Sequence, residues 1–460
     1  MKRRILLSKR FWLYFLIGIV LLSSSGSDYF RQSKLEHASR NHSFSIFWWE
    51  VRHIPSKWVH LLWEMFPGNK PTDAERKLIV QDYLQSVRRL DKERARVEGS
   101  HFAGSVAGSS ATKKATENIP NDIEVFEREK ESLRGKAEEA VEAVISDVVR
   151  TEGLGFPLGI LFPPTDFRFD KPPLILVTSP RNVIRLEGTR LIQNDIKMIT
   201  RSEIEQRIES DGITSALVDD LAGLGTYPAF VSDRYELRQL TRTAAHEWLH
   251  NYWIFRPLGR SMWDSSDMYT LNETAADIAG NELGDLAYQR LGGDLEASDL
   301  RYGNTAVAAP HLTRILRETR IKVDKLLSEN NIDGAEEIMR GQHWNLRLGG
   351  YGIRKINQAY FAFRGNYADG PASVSPIGSE LNEYRETFPT VGEFIKSVAT
   401  VKNYVQFQLM LESVGDKRIN STDLRSNHSN PVLNSKTPLL TPSRRISDAP
   451  PASLIERIRR

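Results

Sequence analysis

The chain has 460 residues with 62 Lys+Arg, 59 Asp+Glu, no cysteine and 40% apolar side chains. That balance suits about two or three folded units and excludes both a wholly disordered chain and a polytopic membrane protein. Without cysteine there are no disulfides, thiolate metal sites or cysteine nucleophile, so any metal must be held by His and carboxylates. The first ten residues carry +5 and residues 417–460 carry +6, which leaves −8 for the rest of a chain with net charge +3. A body of that sign lacks the clustered cations that hold phosphate, and nucleic acid is excluded as a partner.

Lys2, Arg3, Arg4, Lys9 and Arg10 precede twelve uncharged residues, FWLYFLIGIVLL, at 11–22. That order predicts a signal peptide or signal anchor over 1–27, with Ser25 and Ser27 as a cleavage site, and a body that is membrane-anchored or secreted and extracytoplasmic. Residues 28–71 include SIFWWEVRHIPSKWVHLLWEMF (45–66), which holds four of the nine Trp. Its charges at Glu50, Arg52, Lys57 and Glu64 forbid spanning. Two short amphipathic helices around Pro55 fit either the lipid headgroup level or the protein's own core.

Residues 72–152 read as a helical hairpin: a charged helix over 72–96, a Gly/Ser/Ala-rich connection over 97–118, and a second helix over 121–150. Ala137, Ala140, Val141, Val144, Ile145 and Val148 give the second helix one apolar face. From 153 to 292 the texture changes. Strands are predicted at 172–180, 189–196 and 215–220, bounded by Pro, Gly and Asp. Asp233 and Glu236 stand at capping-box spacing before a helix that ends at Arg256-Pro257. A further helix runs from near Asn272 to Leu291. Helices at 311–345, 351–365 and 391–413 make a C-terminal lobe over 293–415, and 416–460 read as a disordered tail.

The chemistry lies in His246-Glu247-Trp248-Leu249-His250. On a helix, i and i+4 share a face, so both imidazoles reach one ion, while Glu247 is turned toward the position of a water. Its uncharged flanks, Ala244, Ala245, Trp248, Leu249 and Tyr252, suit a buried helix. Glu273 follows 23 residues after His250, with Asp277 one turn on. That spacing lets Glu273 complete the ligand set and Asp277 accept from the other ring nitrogen of a histidine. Asp264, Asp267 and Glu282 are rival third ligands without such a paired acid.

H-E-x-x-H followed by N-E-x-x-x-D resembles the gluzincin metallopeptidases, the thermolysin-like group, over about residues 215–290. The resemblance implies one Zn²⁺ per chain on His246, His250 and Glu273, with Asp277 and Asn272 behind the ligands and Glu247 as the base. The distance between the two motifs is a few residues longer than in the best-known members, which implies an insertion around Leu258–Met268. It also implies an edge strand before the histidine helix, for which 214–220 is the candidate, with Gly223-Leu224-Gly225 allowing close backbone approach. An oxyanion donor is expected downstream, where Tyr351, Arg354, Tyr360, Tyr367 and His343 stand; Tyr351 and Tyr360 are the choices.

The fold expected is α+β and helix-rich, a zincin-like catalytic domain with a small sheet and two metal-site helices. The function expected is hydrolysis of a peptide or protein substrate at a membrane-associated site. Endopeptidase and aminopeptidase both fit, the latter needing acids such as Asp219 and Asp220 to hold an amine. The alternative from another class is a membrane-tethered interaction or assembly protein whose metal is structural or absent.

Overall fold

The run Leu174-Ile175-Leu176-Val177 has no polar alternation, the pattern of a strand covered on both faces. In the computed structural model, which describes residues 34–51, 71–107, 119–157, 160–306, 308–367 and 372–413, all four side chains are buried. The expected signal segment, the C-terminal tail, residues 52–70 of the Trp-rich segment and 108–118 of the hairpin connection lie outside the described residues. Those described up to Leu411 belong to one unit.

In chain order the elements are α1 (Lys34–Ser39), α2 (Asp73–Ala107), α3 (Ile119–Thr151), β1 (Phe167–Phe169), β2 (Leu174–Pro180), β3 (Gly188–Ile192), α4 (Met198–Glu209), β4 (Thr214–Asp220), β5 (Gly223–Leu224) and β6 (Ala229–Val231). There follow α5 (Leu237–Trp253), α6 (Pro257–Arg260), α7 (Ser266–Arg290), α8 (Leu295–Ala306), α9 (Ala308–Ser328), α10 (Ile332–Leu348), α11 (Gln358–Arg364), α12 (Ile377–Arg385) and α13 (Val391–Val398). The protein is α+β and helix-rich, with two sheets of three strands each among the described residues.

The first sheet has the order β3-β2-β4, antiparallel throughout. Leu174, Leu176, Ala216 and Val218 face Ile204 and Ile208 of α4 and Ala38 of α1. Ile175, Val177 and Leu217 face α9, α10 and α11 through Leu316, Val323, Met339 and Phe361. Helices on both faces account for the unbroken apolar run. Along the outer edge of β3 the chain at 42–44 adds a short pairing, with Phe44 N donating to Leu191 O (3.1 Å) and Gln193 N to His42 O (2.8 Å). The outer edge of β4 is met by side chains. Ala216 N donates to Glu209 (3.0 Å) and Val218 N to Glu205 (2.6 Å). Arg354 donates to Val218 O (2.8 Å), and Lys355 and Asn357 donate to Ala216 O (3.0 and 2.8 Å).

The second sheet, β1-β6-β5, lies against α5. Phe44 and Trp49 pack on Phe230 of β6, with ring centroids 6.0 and 4.1 Å apart, so the described part of the Trp-rich segment binds the protein's own sheet. The helical hairpin pairs α2 with α3, and all six apolar positions read from the 3.6-residue period of α3 are buried. Its first helix runs on to Ala107, past the expected end at 96.

Four local expectations are corrected. The helix carrying the histidines begins at Leu237, and Glu236 at its N-cap makes no capping bond, its carboxylate accepting instead from Arg88 (2.9 Å). Asp233 does not cap it; its carboxylate is buried and taken by Tyr83 Oη (2.8 Å) and Lys130 Nζ (2.5 Å). The next helix starts at Ser266, capped by Ser265, so Glu273 lies inside it rather than at its opening. The predicted helix over 311–345 is broken at Asn330, whose φ is 58°, and Asn331 caps α10. Residues 351–357 are not helical; they carry the side chains that close the edge of β4. Among the described residues no helix is long and apolar enough to cross a membrane.

Candidate metal centre

Ala244, Ala245, Trp248, Leu249 and Trp253 bury most of the surface of α5, and the Trp248 indole donates to Pro163 O (3.1 Å). His246 and His250 therefore project into the protein. What they meet is set by α7, which crosses α5 with no side chain at 280 or 284. A Cβ at Gly280 would stand 2.9 Å from His246 Cα, and one at Gly284 closer still to Arg242 Cα. This contact brings one face of α7, with Asn272, Glu273 and Asp277, up to the histidines.

The three expected ligand atoms form a triangle. His246 Nε2 and His250 Nε2 are 3.0 Å apart, and Glu273 Oε2 is 3.7 and 3.8 Å from them. A point equidistant from atoms so spaced lies about 2 Å from each, which is the bond length zinc makes to imidazole and carboxylate. The outer ring nitrogens are held from behind. His246 Nδ1 is 2.9 Å from Asp277 Oδ1, and His250 Nδ1 is 3.0 Å from Asn272 Oδ1, while the Asn272 amide donates to Leu258 O (3.4 Å). With both Nδ1 protons committed outward, the two Nε2 lone pairs face one another, an arrangement that calls for a proton or a cation between them.

The electrostatics point the same way. Burial alone would lower His246, but its hydrogen bonds to Asp277 and Glu273 outweigh that and hold it well above its ordinary value. Burial lowers His250. Burial would raise Glu273, yet His250, His246 and the Tyr367 hydroxyl keep it below the usual carboxylate value. Burial pushes Glu247 up to about 8, with His246 pulling against it and Glu273 and Asp277 adding to it. Three carboxylates around two imidazoles in a buried site need positive charge, and the donor set of nitrogen and carboxylate oxygen fits zinc.

Glu247 joins the two histidines in a group whose candidate ligand atoms all lie within 4.8 Å of one another. Its carboxylate lies against the backbone of β5: a Cβ at Gly223 would come well inside 3.0 Å of Oε1. A cleft opens there, lined by Gly223, Arg242, His246, Glu247, Phe363 and Tyr367 among others.

The tyrosines chosen from the sequence go elsewhere. Tyr360 is buried in the apolar cluster between the first sheet and α9–α11, where burial pushes its hydroxyl up to about 12, and Tyr351 packs at the margin of the same cluster. The hydroxyls that reach Glu273 belong to Tyr367, on the cleft wall, and to Tyr269, one turn before Glu273 on α7. Tyr269 could have been read from its i−4 spacing. Tyr367 could not be preferred over its neighbours, because nothing local says which downstream tyrosine returns to the site.

Other candidates are committed to different partners. Arg354 serves β4, and His343 Nε2 is 2.9 Å from Ile353 O. Glu282 pairs with Arg385 (2.7 Å). Asp219 is held by Arg364 (2.6 Å) and Asp220 by Arg201 (3.0 Å), so neither carboxylate is left with an uncompensated charge for an amine. The edge of β4, expected to take an extended substrate, is closed at Ala216 and Val218 by the side chains already described. Compared with known protein families, with curated proteins and with solved structures, the chain matches none.

Proposed function

We propose that the protein is a zinc-dependent hydrolase of peptide bonds, with one Zn²⁺ held by His246, His250 and Glu273 in a zincin-like arrangement of two helices beside a small sheet. The observation that carries this is the triangle of ligand atoms with Asp277 and Asn272 bonded behind the imidazoles and the Glu247 carboxylate alongside. A zinc ion held there would polarise a carbonyl and lower the pKa of water toward about 7. The chain supplies the rest. Glu247, pressed against Gly223, takes the proton of the attacking water and passes it to the leaving amine, and its burial keeps the carboxyl able to hold that proton between the two transfers. Asp277 and Asn272 fix the rings. Tyr367, on the cleft wall, is the hydroxyl we assign to the developing oxyanion in place of Tyr351 and Tyr360. The cations and apolar run of residues 2–22 support an extracytoplasmic, membrane-associated location.

The test is metal content together with turnover. The chain should contain about one zinc, with His246→Ala or Glu273→Ala reducing it sharply. Glu247→Gln should keep the metal and lose hydrolysis of a casein-type substrate by about 10²- to 10⁴-fold. A folded chain that takes up no zinc, or a Glu247→Gln variant with near-normal turnover, would reject the assignment.

A further inference from the structure

A surface helix of a water-soluble domain ordinarily buries one face and shows polar residues on the other. The helical turn at 46–51 does not. Trp49 packs on Phe230, and Glu50 accepts from Tyr227 N (3.2 Å), which ties the turn to the second sheet. Its opposite side carries Phe47 and Trp48, packed edge to face (5.4 Å) and directed outward, with Trp48 66% exposed.

A second set of exposed aromatics stands at the C-terminal end of α5. Ile254 and Phe255 follow that helix, Phe255 being 63% exposed and 5.6 Å from exposed Phe162. Trp263, 71% exposed, lies on Tyr269 (5.1 Å) just beyond α6. The two sets adjoin the same helix end, because Tyr227, which meets Glu50, follows Thr226, whose carbonyl accepts from Asn251 of α5 (3.0 Å).

We infer that these aromatics form one face that docks the folded body on a lipid bilayer. Exposed aromatics of this kind occur at membrane–water interfaces and at protein contacts alike, and what chooses lipid here is the chain's own tether. The uncharged run at 11–22 ends eleven residues before α1, and eleven residues of any conformation reach at most about 40 Å, so a chain anchored there is held within reach of the bilayer. A tether makes a weak interfacial contact effective, since the second attachment is intramolecular. The docking goes beyond hydrolysis and is separable from it, for neither metal nor substrate enters its test.

The absence of cysteine makes that test direct. Single variants Trp48→Cys, Phe255→Cys and Trp263→Cys of the full chain, each carrying a nitroxide, are placed in phosphatidylcholine/phosphatidylglycerol vesicles. Trp344→Cys, an exposed aromatic position on α10, is the reference. Collision rates with oxygen, which concentrates in lipid, and with a water-soluble nickel chelate report depth. The three sites should favour oxygen several-fold more than position 344 does. The inference fails if all four positions are equally open to the chelate, or if only position 48 is immersed. It fails also if the labels are shielded from both reagents and broaden one another, as a second protein copy would cause.

Discussion

At the scale of the residue, Gly223 shows how narrowly Glu247, the proposed base, is held. Nothing larger than hydrogen fits between β5 and the Glu247 carboxylate, so Gly223→Ala must move one or the other. The nearest atoms that the added methyl group meets all belong to the Glu247 side chain, none to the proposed ligands His246, His250 and Glu273. The expected outcome is turnover reduced by about 10- to 100-fold with zinc content unchanged, the signature of a displaced base rather than a lost metal. Metal analysis beside a rate measurement checks it, and loss of both together would count against this role for the glycine. Within each motif the pairing was legible in the sequence from helical spacing, i, i+4 for His246 and His250 and i, i+4 for Glu273 and Asp277, while the union of the two pairs rested on the resemblance of the motifs taken together. Tyr367 was not legible, since it comes back to the site from a segment whose path depends on the packing of α11.

Between elements, the contact of α5 with α7 sets the ligand spacing. Adding a methyl group at Gly284 forces the backbones apart beside Arg242, and Gly284→Ala should cost about 1–3 kcal/mol of stability and weaken zinc binding, read by denaturant unfolding and metal titration. The same two helices are joined by Asp285, which accepts from Arg238 (2.9 Å) and Arg242 (2.6 Å). Burial would raise that carboxyl, but the two guanidinium groups hold it below its ordinary value. Its folded pKa thus lies below the unfolded value of about 3.9, so its contribution is complete above that pH and disappears as pH falls through the folded pKa. Asp285→Asn should lower stability by about 1 kcal/mol at pH 7, a modest figure because the pair is partly solvated, with the difference closing below about pH 4. A stability gap independent of pH would contradict this.

Element boundaries were less legible than element types. Asp233 and Glu236 have capping-box spacing, yet the buried Tyr83 and the partly buried Lys130 claim Asp233, a long-range contact that outweighs a local signal. The helix expected from residue 351 starts only at Gln358, because Arg354, Lys355 and Asn357 give their side chains to the edge of β4. In both places tertiary hydrogen bonds decide against local propensity.

For the molecule as a whole, the expectation of an α+β, helix-rich chain came from texture: apolar runs bounded by Pro and Gly, then 3.6-residue periods. The second sheet was not foreseen, because strands of two or three residues leave no period to read. Nor does the sequence show that the segment before residue 52 belongs to the folded body; the packing of Ala38 against α4, the pairing of 42–44 with β3 and the contact of Trp49 with Phe230 reveal it.

That pairing has a consequence for self-association. An open strand edge is a template on which identical chains stack, and a chain that crosses a membrane unfolded before it folds is exposed to this hazard at high local concentration. Here β4 is stopped by charged and amide side chains and β3 by the chain's own residues 42–44. Removing residues 1–51 therefore uncovers β3 and strips Phe230 at once. Such a shortened chain should form thioflavin-positive aggregates on refolding under conditions where a chain beginning at residue 28 stays monodisperse, and equal solubility of the two would show that β3 needs no cover. The segment up to residue 51, whose sequence reads as amphipathic and Trp-rich, is then the guard that keeps one copy of this protein from becoming the seed for the next.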